Sequence, residues 1–90
     1  IKSVDNRGMV EETLDRSKLY HVQTPQTFKR EIIMKAYEEA YQDKFYGTDD
    51  ASLVERLGIP VKIVMGSYEN IKLTTPEDIL HAEEILKLRE

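Results

Sequence analysis

The sequence predicts an α/β fold, in which short strands are followed by amphipathic helices. Apolar and polar residues alternate in Asn70–Thr74, a pattern typical of a strand with one buried face. Thr75 then precedes Pro76, and Asp78 stands three residues further on, which is the capping-box pattern of a helix start. The stretch Phe28–Asp43 has apolar residues at helical spacing. A strand that runs directly into a helix is the building unit of α/β folds.

Length and composition limit what this sequence can form. Ninety residues make one small domain, which buries only roughly 60–65% of its unfolded surface and is marginal alone. The chain has no cysteine, which excludes disulfides and thiolate metal sites and is compatible with a reducing compartment. The net charge of −4 with mixed signs gives no basic footprint, so no nucleic-acid partner is expected. No apolar run approaches the roughly 20 residues of a membrane span, so no membrane partner is expected either.

The first sixteen residues predict a β-hairpin arm, and 17–90 form the rest of the α/β domain. Val4 and Val10 flank a turn in which Gly8 can take the left-handed conformation. An isolated hairpin is not stable in water, so this arm needs a partner surface, either the body of the protein or another subunit. Asp15 and Arg16 follow, either as a surface charge pair or as an arginine that can reach an oxyanion.

The next stretch predicts a strand, a break and a long helix. Leu19–Gln23 is strand-like, with His21 as a hydrogen-bonded structural residue, and Thr27 is the expected N-cap of the helix Phe28–Asp43. The tyrosines of this helix are expected in the core or an interface. Its apolar stripe consists of Ile33, Ala36, Tyr37, Ala40 and Tyr41.

The second half predicts two helices with two strands between them. Asp49 and Asp50 open the first helix, where acids complement the helix dipole, and Gly58 ends it. Paired acids can also hold a metal, but that needs further oxygen ligands. A strand over Ile59–Met65 precedes Asn70–Thr74. The final helix, Pro76–Leu88, is expected to bury Ile79, Ala82, Ile85 and Leu86, with His81 on its surface.

Four residues are compatible with phosphate binding: Arg16, Thr24, Thr48 and Lys72. Lys72 would stand on the polar side of its strand, beside a helix start of the kind that binds anions, although the local pattern alone favours a solvated surface lysine. No Gly-rich phosphate loop, Ser/His/Asp arrangement or metal-ligand spacing occurs. The apolar helix faces need more sheet than the predicted strands supply, which indicates the C-terminal part of a larger α/β protein.

Three stretches carry a resemblance to a known family. They are Asp15-Arg16 with Gln23–Phe28, then Thr48–Glu55, then Asn70–Asp78. Together, in this order and spacing, they resemble the C-terminal part of the 2-C-methyl-D-erythritol 4-phosphate cytidylyltransferases over essentially all 90 residues. The resemblance implies a Rossmann-like nucleotide-diphospho-sugar transferase fold whose protruding β-arm forms a homodimer. It also implies a cytoplasmic enzyme of isoprenoid synthesis.

The family couples methylerythritol phosphate to CTP with release of pyrophosphate, and uses Mg²⁺. By resemblance, Arg16 is the arm arginine that positions methylerythritol phosphate in the partner subunit's site, and Lys72 positions the same substrate near the α-phosphate of CTP. Both are thus expected as catalytic residues. Thr24 and Thr48 match threonines that line the phosphate pocket of that substrate.

The resemblance leaves half of the family's site unaccounted for. The Gly-rich CTP loop, the basic nucleotide-binding residues and the magnesium aspartate of the family correspond to positions before Ile1. We therefore expect that the 90-residue chain alone does not turn over CTP. Two other interpretations remain open: a fragment of a ribitol-5-phosphate cytidylyltransferase, which shares the Thr-Pro-Gln and Asn-Ile-Lys patterns, and a non-catalytic dimerisation fragment.

Overall fold

The chain begins with an antiparallel hairpin in a computed structural model that describes all residues from 1 to 90. Strand β1 (Lys2–Val4) pairs with β2 (Val10–Thr13), with Lys2 opposite Thr13 and a register shift after Ser3. The predicted hairpin is therefore confirmed.

The turn of the hairpin is closed by one carboxylate. Asp5 Oδ1 accepts hydrogen bonds from the backbone N–H groups of Arg7 and Met9 at 2.9 and 3.0 Å. Gly8 has φ +80°, the left-handed conformation that the sequence predicts for it. Beyond the hairpin, a 3-10 turn over Arg16–Lys18 leads into the rest of the chain.

Three helices follow: α1 (Arg30–Gln42), α2 (Asp50–Arg56) and α3 (Pro76–Arg89). The capping box predicted at the start of α3 is present, and Gly58 has φ +78° just after α2. The predicted N-cap of α1 is wrong. Lys29, which makes no side-chain capping bond, holds that position, because the chain around Gln26 is fastened to α2 and is not yet helical at Phe28.

The buried core lies between α1 and α2. Small side chains on α1 let α2 approach closely, and the larger apolar side chains of α2 fill the contact. The fully buried residues are Ala36, Ala40, Leu53 and Val54. Half-buried apolar residues surround them: Phe28, Ile32, Ile33, Leu57, Ile59 and Val61.

Of the two locations expected for the tyrosines of α1, the core is wrong within this chain, and an interface stays a prediction. Tyr37 is 51% exposed and Tyr41 is 87% exposed. Helical spacing identified the correct stripe, but its buried centre consists of the two alanines, so the bulkier rings lie on the solvent side of the helix pair.

The three later predicted strands form no sheet here. Leu19–Gln23, Ile59–Met65 and Asn70–Thr74 are not paired, since the only sheet of the chain is β1–β2. A strand exists only where a neighbouring strand pairs with its backbone, whereas an alternating pattern reports only which face is apolar.

Helix α3 packs against no other helix or strand. Of its predicted buried side, Ala82 and Ile85 are half-buried, whereas Ile79 and Leu86 are 54% and 58% exposed. The surface residue His81 is exposed as predicted. No helix of the chain has the length and apolar character that crossing a membrane requires.

The helices and the hairpin of this chain are spread out and do not pack into one compact body. The radius of gyration is 17.3 Å, against about 12 Å for a compact domain of this length. Much of the apolar surface is exposed in consequence, and the α1–α2 contact is the packed centre from which the neighbouring segments are positioned.

Candidate functional site

A cleft of about 770 Å³ lies where three segments meet. It is bounded by 21–28, by the start of α2 and by 61–70, and its volume suits a small-molecule ligand. Thr24 and Thr48 both line it, so the structure brings two of the four predicted phosphate-binding residues to one cavity. The remaining polar lining includes His21, Gln23, Gln26, Thr27, Asp49, Ser52, Glu55, Lys62 and Asn70.

The segment 21–28, which forms one wall of the cleft, is joined to α2 by the side chain of Gln26. Its Nε2 donates to Asp49 Oδ2 at 3.1 Å, and its Oε1 accepts from the backbone N–H of Ala51 at 3.0 Å. These partners fix the orientation of the amide, because a carboxylate only accepts and a backbone N–H only donates. Gln26 therefore sets the distance between the segment that carries Thr24 and the start of α2.

The start of α2 is itself closed by a capping box. Asp49 Oδ1 accepts from Ser52 N at 2.8 Å, and Ser52 Oγ donates to Asp49 O at 2.6 Å. Thr48 precedes this box directly and is therefore held against a defined helix terminus. The prediction that the acids at this position cap the helix is confirmed for Asp49.

Two further amide side chains, those of Gln23 and Asn70, join the segment 21–28 to the wall that residues 61–70 form. Gln23 Nε2 donates to Ser67 O at 2.7 Å and to Asn70 O at 3.2 Å. Asn70 Nδ2 donates in return to Thr24 O at 2.9 Å. The carbonyl oxygen of the cis Thr24–Pro25 peptide bond and the side chain of the residue before it are thus hydrogen-bonded to the 67–70 segment.

Arg16 and Lys72 do not line the cleft. Arg16 begins the exposed 3-10 turn after the hairpin, and Lys72 is exposed, with its carbonyl oxygen accepting from Thr74 Oγ1 at 3.3 Å. The cation in the cleft wall is Lys62, which sequence reasoning missed because it was one polar position in a predicted strand.

Asp15 and Arg16 form no ion pair with each other. Asp15 instead accepts from the hydroxyl and the backbone N–H of Ser17, at 2.7 and 3.0 Å. These bonds lower the pKa of Asp15. The carboxylate stabilises the 3-10 turn and leaves the Arg16 guanidinium without an internal partner.

The predicted structural role of His21 is wrong: its side chain is exposed, lines the cleft and forms no hydrogen bond within the chain. A hydrogen-bonded structural histidine needs partners from a neighbouring strand, and the Leu19–Gln23 segment has none in this sheet.

A second cavity of about 720 Å³ lies between the end of α1 and α2. Its aromatic wall contains Tyr37, Tyr41, Phe45 and Tyr46. The connection that forms this wall is held by Arg56, which forms an ion pair with Asp43 and stacks 4.9 Å above the Phe45 ring.

The carboxylates that open α2 are already engaged in hydrogen bonds. Asp49 binds Gln26 and Ser52, and Asp50 accepts from the hydroxyl of Tyr37. No three His, Cys, Asp or Glu residues come together as metal ligands. The alternative in which Asp49 and Asp50 form a metal site therefore has no support in this chain.

The residues that sequence reasoning missed are amides. Gln23, Gln26 and Asn70 were noted as parts of patterns, but their roles depend on partners far along the chain. The one local signal was the placing of one glutamine on each side of Thr-Pro. An amide side chain both donates and accepts hydrogen bonds, so a glutamine on each side can hold a restrained turn in position.

The chain is similar to one protein family over nearly its whole length. The model of the family described as 2-C-methyl-D-erythritol 4-phosphate cytidylyltransferase matches residues 1–88. A protein of that name from Syntrophus aciditrophicus is 57% identical over 90 residues, which are 100% of this chain and 38% of the relative. One from Geobacillus thermodenitrificans is 63% identical over 89 residues, 99% of this chain and 39% of the relative.

Solved structures give the same result. The 4-diphosphocytidyl-2C-methyl-D-erythritol synthase of Anaerococcus prevotii superposes with a TM-score of 0.89 at 39% identity, covering 97% of this chain and 39% of that one. The 2-C-methyl-D-erythritol 4-phosphate cytidylyltransferase of Thermus thermophilus gives 0.79 at 30% identity, covering 97% and 43%. The chain thus spans about two fifths of the length of the proteins that it resembles.

Proposed function

We infer, because this chain belongs to the 2-C-methyl-D-erythritol 4-phosphate cytidylyltransferase family, that the whole protein containing it is a cytidylyltransferase. In the proposed reaction a phosphate oxygen of methylerythritol phosphate attacks the α-phosphorus of CTP. The bond from that phosphorus to the leaving pyrophosphate breaks, and 4-diphosphocytidyl-2-C-methyl-D-erythritol forms. The observation that carries this proposal is the family match over residues 1–88.

The proposed contribution of this chain is the alcohol-phosphate side of the site. Thr24 and Thr48 share one cleft, and their hydroxyls would donate to phosphate oxygens. Arg16 and Lys72 would bring positive charge to the substrate and to the charge that develops in transfer. Since Arg16 follows directly after the hairpin, we propose that the hairpin pairs with a second subunit and brings this arginine into the site of that subunit.

The fold proposed for the whole protein is the Rossmann-like nucleotide-diphospho-sugar transferase fold. Three apolar segments of this chain lack strand partners, which a larger sheet would supply. The position of this chain at the C-terminal end of that fold stays a prediction.

Magnesium belongs to the proposal only through residues outside this chain. The residues described here bring no group of three metal-ligating side chains together and do not fit a magnesium site. The CTP-binding loop is likewise proposed to lie elsewhere in the whole protein.

Pyrophosphate release by the whole protein tests this function. With CTP, methylerythritol phosphate should support turnover and ribitol 5-phosphate should not. Preference for ribitol 5-phosphate would replace the proposal with the related cytidylyltransferase activity. The isolated 90-residue chain should release no pyrophosphate.

Charge-removing variants test the residue roles. Lys72→Gln and Arg16→Gln should each lower kcat/KM for methylerythritol phosphate at least about a hundredfold, as expected for groups that contact transferring phosphates. Lys35→Gln, an exposed lysine on α1, should leave turnover unchanged and is the matched control. Unchanged turnover in Lys72→Gln would remove that residue from the site.

The hairpin is the specific observation behind the non-catalytic alternative. It contacts no other helix or strand of the chain, and such a hairpin is unstable alone. Sedimentation of the whole protein at several concentrations tests the arm: a folded protein that remains monomeric would contradict dimerisation through it.

A further inference from the structure

We propose that Gln26 and Asn70 are positioning residues that hold Thr24 in register with the segments carrying Thr48 and Lys72. This inference rests on the proposed function, because it concerns how the alcohol-phosphate site is assembled. Its basis is the pair of amide contacts that join three segments distant in the sequence.

No contact within the chain fixes the orientation of the two threonine hydroxyl groups. Neither the Thr24 nor the Thr48 hydroxyl has a hydrogen-bond partner within the chain, and both residues are exposed. Their hydroxyls are therefore free to bind a ligand, but their separation depends on the backbone to which each is attached. A displacement of about 1 Å in a positioned group can reduce a rate about a hundredfold, so the contacts that fix this backbone affect substrate binding.

Gln26 fixes the position of Thr24 relative to Thr48. It lies two residues after Thr24, and its amide contacts Asp49 and Ala51, which lie one and three residues after Thr48. Gln26, Asp49 and Ala51 are all half-buried, which shields their bonds from competing water. Loss of this amide would allow the Thr24 segment to move relative to the start of α2.

Asn70 fixes the position of Thr24 relative to the segment that carries Lys72. Its Nδ2 donates to Thr24 O at 2.9 Å, while its own carbonyl oxygen accepts from Gln23 at 3.2 Å. Lys72 lies two residues further along the same extended segment. The exchange of bonds therefore links the backbone of Thr24 to the segment that carries the lysine.

The first test is Gln26→Glu in the whole protein. This variant keeps the shape of the side chain but places a carboxylate against Asp49. The two charges repel, and the variant lacks the N–H that the amide donates to Asp49. We expect KM for methylerythritol phosphate to rise about tenfold, equal to about 1.4 kcal/mol.

The matched control is Gln42→Glu, which makes the same change at the exposed end of α1 and should leave KM unchanged. The KM for CTP should stay constant in both variants. A merely structural role for Gln26 would raise the KM values for both substrates together, and that result would overturn the inference.

Asn70→Asp provides a second test at an exposed position, where the substitution displaces no core side chain. Its carboxylate would face the Thr24 carbonyl oxygen without a proton to share, and KM for methylerythritol phosphate should again rise about tenfold, equal to about 1.4 kcal/mol. If the wild-type protein turns over methylerythritol phosphate while both variants keep its KM, the inference fails and the proposed function stands. If the wild-type protein does not turn over this substrate, the proposed function fails and the inference with it.

Discussion

Tyr37 on α1 donates its hydroxyl hydrogen bond to the carboxylate of Asp50, the first residue of α2. The bond lies at the solvent edge of the core contact between the two helices. It raises the pKa of Tyr37 above its ordinary value of 10.0, first through this hydrogen bond and then through burial and the charge of Asp50. The same bond engages a carboxylate at the helix terminus that follows Thr48.

Replacing Tyr37 with phenylalanine tests this bond. The pKa of Tyr37 is higher in the folded state, so its stabilising contribution is complete below the unfolded pKa near 10.0 and is lost as the pH rises above it. We expect Tyr37→Phe to have a lower melting temperature than wild type at neutral pH, with the difference shrinking above pH 10.0. Thermal unfolding followed over this pH range measures it.

Tyr41→Phe is the control for this prediction. Tyr41 is 87% exposed and its hydroxyl makes no hydrogen bond, so its removal should not change the melting temperature. Equal melting temperatures for wild type and Tyr37→Phe at neutral pH would contradict the prediction.

The start of α3 should respond to acid. Asp78 accepts from the backbone N–H groups of Thr75 and Thr74, at 2.9 and 2.8 Å, and these bonds lower its pKa below the ordinary value of 3.8. Its contribution to the free energy of unfolding is therefore present above pH 3.8 and lost as the pH falls below it. In Asp78→Asn the acid-induced loss of stability should be smaller, as measured by denaturant unfolding at falling pH.

Thr75→Ala tests the N-cap of α3. It removes the oxygen that accepts from Asp78 N at 3.3 Å and should lower the free energy of unfolding by about 1 kcal/mol above pH 3.8. An unchanged free energy of unfolding in Thr75→Ala, or an unchanged acid profile in Asp78→Asn, would contradict this assignment.

The features that the sequence predicted correctly depend on neighbours within about four residues. The hairpin turn is closed by Asp5 onto Met9, Asp49 caps α2 through Ser52 N, and the predicted capping box joins Thr75 to Asp78. In each of them one short polar side chain binds backbone N–H groups close by, so the residue types and their spacing suffice to predict the geometry.

The features that the sequence did not predict depend on distant partners. Gln26 binds Asp49, 23 positions away, and Gln23 binds the carbonyl oxygen of Asn70, 47 positions away. Nothing in a local pattern selects one distant acceptor over another. For the same reason the alternating segments were assigned to strands, although pairing requires a neighbour that the pattern does not specify.

The end of α2 supplies a prediction about backbone conformation. Gly58 has φ +78°, and a Cβ atom there would meet nothing within 4 Å. Gly58→Ala should therefore lower the free energy of unfolding by about 1 kcal/mol through conformational strain alone. Gly58→Asn should lose less, because asparagine tolerates the left-handed region better. Denaturant unfolding measures the free energy of unfolding of both variants and of wild type. An alanine variant as stable as wild type would contradict the prediction.

Gly66 allows the side chain of Gln23 to pass close to the backbone of the opposite cleft wall. A Cβ at position 66 would collide with Gln23 Oε1, the flexible end of the side chain that donates to Ser67 and Asn70. Because φ of Gly66 is not in the left-handed region, alanine fits the backbone, and Gly66→Ala should displace the glutamine with little loss of melting temperature. The KM for methylerythritol phosphate should rise about tenfold, which corresponds to about 1.4 kcal/mol of lost binding.

A double-mutant cycle with Gln23→Ala decides whether this effect passes through the glutamine. In the Gln23→Ala background the added methyl group at position 66 has no side chain to displace, because Gln23 provides the only atoms within 4 Å of it. The double variant should therefore have the same KM as Gln23→Ala alone, a large departure from additivity that is expected only for residues in direct contact. Additive changes in KM would show that Gly66 acts on the cleft independently of Gln23, and the proposed contact between the two walls would then not control substrate binding.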